Sequence, residues 1–338
     1  MKPKRPRVIV LSGETLFRSF FDPPRERRLG RGFDWTRVAG RRVGKRLRRL
    51  LAAADALVTT WDSPRFGEEL LAQAPRLRLV AHCGGEVKAR FERPLFERLT
   101  IANAPGPMAH LVAEMAVTFL LMAARRIDAY REALRRPSNR VYERLHLEGA
   151  GPETLRERTV GLLGFGRIGR ETARLLRPFG VRLLVHDPHV TAATVRGKGG
   201  APATLARLLR ESEYLVLAAG LTDATRGLLD RATLRLLPDG ATVVNVARGA
   251  IVDLDALTAE VRSGRLRCAL DVTDPEEPLP VRHPLRRMKG AILTPHVGSA
   301  AVEVRRAMAD IVLDALERFS RGQRVKTRVT LPMLERMT

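Results

Sequence analysis

The residues best suited to chemistry in this chain stand at the ends of short apolar runs. Gly164, Gly166 and Gly169 fall in G-x-G-x-x-G spacing within GLLGFGRIGR, directly after the run TVGLLG and at the head of a helical stretch. That context, more than the bare motif, predicts a diphosphate site. Glycines allow a tight turn and a close backbone approach, while free N–H groups and the helix dipole meet the negative charge. Asp187 lies eighteen residues beyond Gly169. A carboxylate there accepts hydrogen bonds from the adenosine ribose hydroxyls and repels a 2′-phosphate, so the spacing predicts NAD rather than its phosphorylated form. His186 and His189 flank it and would soften that exclusion if protonated. Three later runs each end in a polar residue that a packed sheet does not otherwise want: Arg248 after TVVNVA, Asp271 within CALDVTDPEEP, and His296 in LTPHVG. Glu276 follows Asp271 by five residues. Gathered beside a nicotinamide, an arginine, a carboxylate and a histidine are equipped for hydride transfer to a 2-oxo acid. The guanidinium clamps carboxylate and carbonyl oxygen, the imidazolium gives the proton, and a carboxylate neighbour favours the protonated ring. Singly, each has a bland alternative: a surface arginine, a turn-capping aspartate, a core histidine. Their joint placement argues for a site.

Positioning them requires a parallel sheet. From residue 159 the chain repeats a β-rich run, a glycine or polar turn and a helical stretch, which is βαβ organisation. Strands are predicted at 159–164, 182–187, 214–219, 241–247, 267–272 and 291–296. Their near-continuous apolar character suits burial on both faces, and ligands of such sheets bind beyond the carboxyl ends of the strands. The first hundred residues read as a separate, smaller α/β unit with strands at 7–12, 56–60, 77–83 and 99–104. Helical spacing predicts one helix over 41–57 and a long one over 110–135, followed by an exposed arm to about residue 153. A last amphipathic helix from about residue 300 has no strand after it, so it must pack on something already built.

Composition sets the frame. At 338 residues the chain has room for two domains, and 45% hydrophobic residues exclude a disordered chain. Two cysteines, Cys83 and Cys268, exclude a disulfide framework, and no C-x-x-C pair or Cys/His cluster offers a metal site. A reducing, cytoplasmic setting is therefore expected. The first residues lack the apolar region of a signal peptide. The apolar stretch 111–124 carries Glu114 and falls short of a membrane span, so a soluble protein is expected. The net charge is +23, and residues 1–50 hold 16 basic against 4 acidic side chains. A solvated arginine face is the ordinary reading of that excess. No aromatic-interleaved basic motif accompanies it, and nucleic acid is not expected as a partner.

NVARGAIVD, ALDVTDPEEPLP and TPHVGSA, together with GLLGFGRIGR, strongly resemble the D-isomer-specific 2-hydroxyacid dehydrogenase family over about residues 50–300. The resemblance implies an α/β, two-domain fold: a Rossmann NAD-binding domain over 108–299, inserted into a flavodoxin-like substrate domain made of 1–107 and 300–338. It implies catalytic roles for Arg248, Glu276 and His296. Cofactor contacts are implied for Gly164, Gly166, Arg167, Ile168, Gly169, Asp187, Ala247 and Asp271. The substrate carboxylate would meet Arg248 and the backbone of Cys83, Gly84 and Gly85. Val112, Ala113 and Glu114 match the family's entry into the NAD domain, and a homodimer through 110–150 is implied. AHCGGEVKA departs from the usual loop, with Lys88 about where an aspartate is common. Ala218 and Gly220 likewise replace a histidine and a proline. No regulatory domain is expected after residue 338, and no metal. Two alternatives stay open: an NAD-responsive corepressor-like binding protein, and a dehydrogenase of another small anion such as formate or phosphite.

Overall fold

The computed structural model describes residues 5–40, 43–135, 138, 140–149 and 154–335. Contacts divide the chain into two units, Met1–Met108 with Ala300–Thr338, and Ala109–Ser299.

The first unit is built on a five-stranded parallel sheet. Its strands are β1 (Arg7–Leu11), β2 (Asp34–Val38), β3 (Ala56–Thr59), β4 (Leu79–His82) and β5 (Thr100–Asn103), in the order β2-β1-β3-β4-β5. The edge strand β2, DWTRV, is absent from the sequence reading because its alternating, half-exposed side chains give no apolar run. One face of the sheet, including Ile9, Leu11, Leu57, Val80 and Ile101, packs with Leu47, Leu51, Leu70, Phe91 and Leu95. The helix expected over 41–57 is Lys45–Leu51; Ala54 and Leu57 belong to the core at β3, and residues 41–42 lie outside the described set. The last helix, Val302–Ser320, packs against β4, β5 and the helices Glu14–Phe20 and Pro23–Gly32. Ion pairs fix it there: Arg25 donates to Asp310, and Arg28 forks onto Glu317. Part of the N-terminal basic excess is thus paired inside the unit rather than solvated.

The second unit holds a seven-stranded parallel sheet: β6 (Thr159–Leu163), β7 (Arg182–His186), β8 (Ala201–Pro202), β9 (Tyr214–Leu217), β10 (Thr242–Asn245), β11 (Arg267–Leu270) and β12 (Ala291–Leu293). The order is β12-β11-β10-β9-β6-β7-β8, so β8 is a seventh, two-residue edge strand beyond the six predicted. Alternate residues point to opposite faces. Leu215, Leu217 and Val243 join one core, and Val216, Val244 and Ala269 join the other. This is the doubly wound arrangement, with its switch point between β6 and β9.

The expected long helix is two, Gly106–Ala124 and Ile127–Ala133, broken where Arg126 takes a left-handed φ of 52°. Gly106–Ala124 has 19 residues at mean hydropathy 1.6, long and apolar enough to cross a membrane by composition alone. Its Val112, Ala116, Phe119, Leu120 and Ala123 instead pack with Val160, Leu162 and Leu176, as a core helix does. Within the expected arm, Arg140–Glu148 is helical, while residues 136–137, 139 and 150–153 lie outside the described set.

Candidate active site

The glycine loop leaves the carboxyl end of β6 and opens the helix Arg167–Leu176. Each glycine has a different steric reason. Gly164 has φ +97°, and a Cβ there would lie 2.5 Å from the backbone nitrogen of Ala219, in the loop after β9. A Cβ on Gly169 would overlap the carbonyl of Gly164. Around Gly166 a Cβ would meet nothing within 4 Å. In the first turn after it, Arg167, Ile168 and Gly169 contribute N–H groups without intrahelical acceptors, and no side chain caps the helix. A diphosphate fits this cradle.

Asp187, after β7, accepts hydrogen bonds from the Phe165 N–H at 2.7 Å and the His189 N–H at 2.9 Å, one on each oxygen. The carboxylate thus braces the glycine loop while keeping an acceptor position on each oxygen. His186 Nδ1 lies 3.0 Å from the Ala203 carbonyl. A carbonyl only accepts, so that nitrogen carries hydrogen.

Arg248 follows β10 in a turn stapled by Asn245, which is buried. The Asn245 amide donates to the Arg248 carbonyl at 3.0 Å and accepts from the Ala247 N–H at 3.0 Å. Next to it, Gly249 leaves no room for a Cβ against the backbone of Thr273 and Asp274, so the arginine turn and the carboxylate loop after β11 touch. Asn245 was not singled out from sequence, although an asparagine closing an apolar strand is itself a signal.

Asp271 is buried at 3% exposure and receives three donors: the Thr294 hydroxyl at 2.5 Å, the Val297 N–H at 2.8 Å and the Gly298 N–H at 2.9 Å. Its carbonyl accepts from the His296 N–H at 2.8 Å. These bonds hold His296 at a left-handed φ of 55°, a conformation a non-glycine residue keeps only when its surroundings impose it. The ring, half exposed, faces a carboxylate through Nδ1 at 2.6 Å.

That carboxylate belongs to Glu277, which corrects the sequence expectation of Glu276. The Thr273 hydroxyl donates to the Glu276 carbonyl at 2.6 Å and the Thr273 N–H to the Glu277 carboxylate at 3.1 Å. The loop therefore doubles back one residue later than a count from Asp271 implies; both glutamates are exposed, and only Glu277 reaches the ring. Of the two adjacent glutamates, the one preceding Pro278 meets the ring.

The first-unit loop needs a second correction. The Cys83 N–H is bonded to the Thr59 carbonyl and the Gly84 N–H to the His82 carbonyl, so neither is available to a substrate. Cys83 is fully buried, and burial pushes its thiol well above the ordinary range. Among the described residues, the Gly85 and Glu86 N–H groups lack acceptors. Asn103 holds the Gly85 carbonyl at 2.6 Å. His82, beneath the loop, is neutral: burial, with Arg90 nearby, pushes it down to about 3. Lys88 is exposed. Among the described residues no group of three or more His, Cys, Asp or Glu could hold a metal ion.

Comparison with known proteins matches residues 117–298 to the family model described as D-isomer specific 2-hydroxyacid dehydrogenase, NAD binding domain. The chain is 36% identical over 277 residues to the glyoxylate reductase of Aeropyrum pernix, covering 80% of this chain and 81% of that one. It is 32% identical over 235 residues to the glyoxylate reductase/hydroxypyruvate reductase of Homo sapiens, covering 69% and 70%. Among solved structures it resembles the TT0316 protein from Thermus thermophilus, with TM-score 0.79 and 29% identity over 96% of this chain and 100% of that chain.

Proposed function

The chain belongs to the D-isomer-specific 2-hydroxyacid dehydrogenase family of oxidoreductases, and on that premise we propose that it is an NAD-dependent reductase of a small 2-oxo acid, reversible to the D-2-hydroxy acid. The observation that carries this reading is the His296–Glu277 contact at 2.6 Å on a loop held by Asp271 at the carboxyl end of the sheet. The glutamate carboxylate accepts from Nδ1, which leaves Nε2 to deliver a proton to the carbonyl oxygen of the substrate. Arg248 holds the substrate carboxylate as a bidentate cation. The glycine loop would hold the cofactor by its diphosphate, and a bound NADH would supply the hydride. Asp187 receives the ribose hydroxyls and disfavours a 2′-phosphate, which supports NAD over NADP. The names of the two reductase relatives favour glyoxylate or hydroxypyruvate as substrate.

A second copy of the chain is the partner we propose. Ile127, Leu134, Val141 and Leu147 are large apolar side chains exposed on one 21-residue stretch of the second unit, with Leu147 at 83% exposure. Such a concentration suits an interface. Two buried free thiols, Cys83 and Cys268, suit a reducing compartment.

The test is NADH oxidation at 340 nm across glyoxylate, hydroxypyruvate, pyruvate, 2-oxoglutarate and aromatic 2-oxo acids, repeated with NADPH. Turnover of one or more small acids with a clear NADH preference is expected. Tight NADH binding without turnover would favour the corepressor-like alternative.

A further inference from the structure

The first unit holds a cavity that the proposed reaction does not use. Its volume is about 360 Å³, and every residue lining it belongs to that unit. Three stretches of chain form it: the loop after β3, the segment after β4 that enters the helix Arg93–Arg98, and the helix Leu331–Glu335. The first two are tied edge to edge. The Phe66 N–H donates to the Arg90 carbonyl at 2.9 Å, the Glu92 N–H donates to the Phe66 carbonyl at 3.1 Å, and the Phe66 and Phe91 rings stack at 5.8 Å. The third joins through Leu334, buried in the same core as Phe91. Phe91 and Leu334 therefore make an apolar floor that packing holds in place.

Charge around that floor is unbalanced. Arg65 lies 3.5 Å from Glu92, and Arg93 lies 3.5 Å from Glu335. Neither contact is a hydrogen bond, and among the described residues these two guanidinium groups donate to no protein acceptor. Lys88 has neither an ion pair nor a hydrogen bond among the described residues. Three cations thus meet two carboxylates with their donors unspent, whereas Arg25 and Arg28 in the same unit spend theirs on the last helix. A solvated cationic face needs no cavity beneath it. A concave surface with an apolar floor and a few convergent polar groups is the usual form of a small-molecule site, and this one stands near the small end of the roughly 300–1,000 Å³ range.

We propose that this cavity binds a small organic acid, its anionic group meeting the Lys88 ammonium and the N–H edges of Arg65 and Arg93 while its hydrocarbon body covers Phe91 and Leu334. The surplus of one cation favours a single negative charge, since Glu92 and Glu335 oppose a second. Lys88 is also where the loop departs from the family pattern, so this cation is the chain's own. Nothing in the proposal depends on the reaction, because Arg248, Glu277, His296 and the glycine loop all belong to the second unit.

The experiment is isothermal titration calorimetry of the whole protein with benzoate, acetate and inorganic phosphate at low salt. Wild type and Arg248→Ala are both titrated, so that binding at the proposed substrate site does not mask this one. Lys88→Glu, Arg65→Glu and, as a control, Lys198→Glu are made on the Arg248→Ala background, with thermal melting to report folding. Lys198 is exposed in the second unit, and its replacement changes the net charge equally. Benzoate is expected to bind Arg248→Ala protein at one site, about fivefold or more tighter than acetate because its ring leaves water. Lys88→Glu and Arg65→Glu should each weaken it by roughly tenfold or more, the worth of a charge-assisted hydrogen bond. Lys198→Glu should leave it within about twofold, a distant charge being screened. Absence of benzoate binding, an affinity unmoved in folded Lys88→Glu, an equal loss in Lys198→Glu, or phosphate or acetate binding as tightly as benzoate overturns the proposal. Binding lost in Arg248→Ala assigns the probe to the substrate site, which overturns the proposal and leaves the family reading intact.

Discussion

His296 owes its place to groups that never touch a substrate. Asp271 gathers Thr294, Val297 and Gly298, and the resulting loop presents the ring to Glu277. If His296 is the acid–base group, His296→Ala lowers kcat by roughly 10²–10⁴-fold while NADH affinity, measured by fluorescence titration, is retained. Unchanged turnover would remove His296 from the mechanism. The register of the carboxylate loop has its own test. Glu277→Gln is expected to cut kcat/KM by about tenfold or more, whereas Glu276→Gln stays within about twofold; the reverse order would restore Glu276 to the role. His82 carries a pH prediction. Its folded-state value is about 3 against an ordinary 6.5, because burial disfavours the charged ring. The unfolded chain therefore takes up a proton below 6.5 that the folded chain refuses until about 3. The stability contributed by the neutral ring is complete above 6.5 and declines as pH falls through that window, by at most about 1.4 kcal/mol per pH unit. In urea unfolding at pH 7.5 and 5.5, His82→Gln should lose about 1 kcal/mol less than the wild type across that step. Equal losses would show that the ring titrates normally.

At the scale of elements, one glycine motif contains two structural requirements and one opening. Gly169→Ala drives a methyl into the Gly164 carbonyl and is expected to cost about 1–3 kcal/mol of stability. Gly166→Ala meets open space, so its Tm should hold, while NADH affinity is expected to fall because a methyl at the helix N-cap keeps a diphosphate from a close backbone approach. Calorimetry with and without NADH separates the two effects. A destabilised Gly166→Ala would show that this glycine is structural as well. Asp187 belongs to the same element, since its bond to the Phe165 N–H joins the end of β7 to the glycine loop. Asp187→Ala is therefore expected to do two things: raise the NADPH-to-NADH ratio of kcat/KM by about tenfold or more, and weaken both cofactors through a looser loop. Loss of affinity without a changed ratio would leave Asp187 a brace only.

For the whole molecule, the exposed apolar side chains on 127–147 predict an assembly. Leu134→Asp with Leu147→Asp should convert a sedimenting dimer to a monomer of 37.6 kDa without loss of helix content. A wild type that already sediments as a monomer would dismiss the interface. The two-sheet architecture was legible because strands buried on both faces leave uninterrupted apolar runs, and nearly all were found to within a few residues. The edge strands β2 and β8 escaped because an edge is half solvated or too short to leave a pattern. The kink at Arg126 escaped because a single left-handed residue leaves no trace in helical spacing. Sequence by itself determined the family and the positions of the glycine loop, Asp187, Arg248, Asp271 and His296 at or just beyond strand ends, since local spacing fixes strand ends; the roles proposed for them await the experiments above. Tertiary structure alone decided that Glu277 rather than Glu276 meets the histidine and that the Cys83 and Gly84 N–H groups are already bonded. These depend on how loops from different strands fold back on one another, and that path is set by long-range hydrogen bonds and steric contact rather than by distance along the chain.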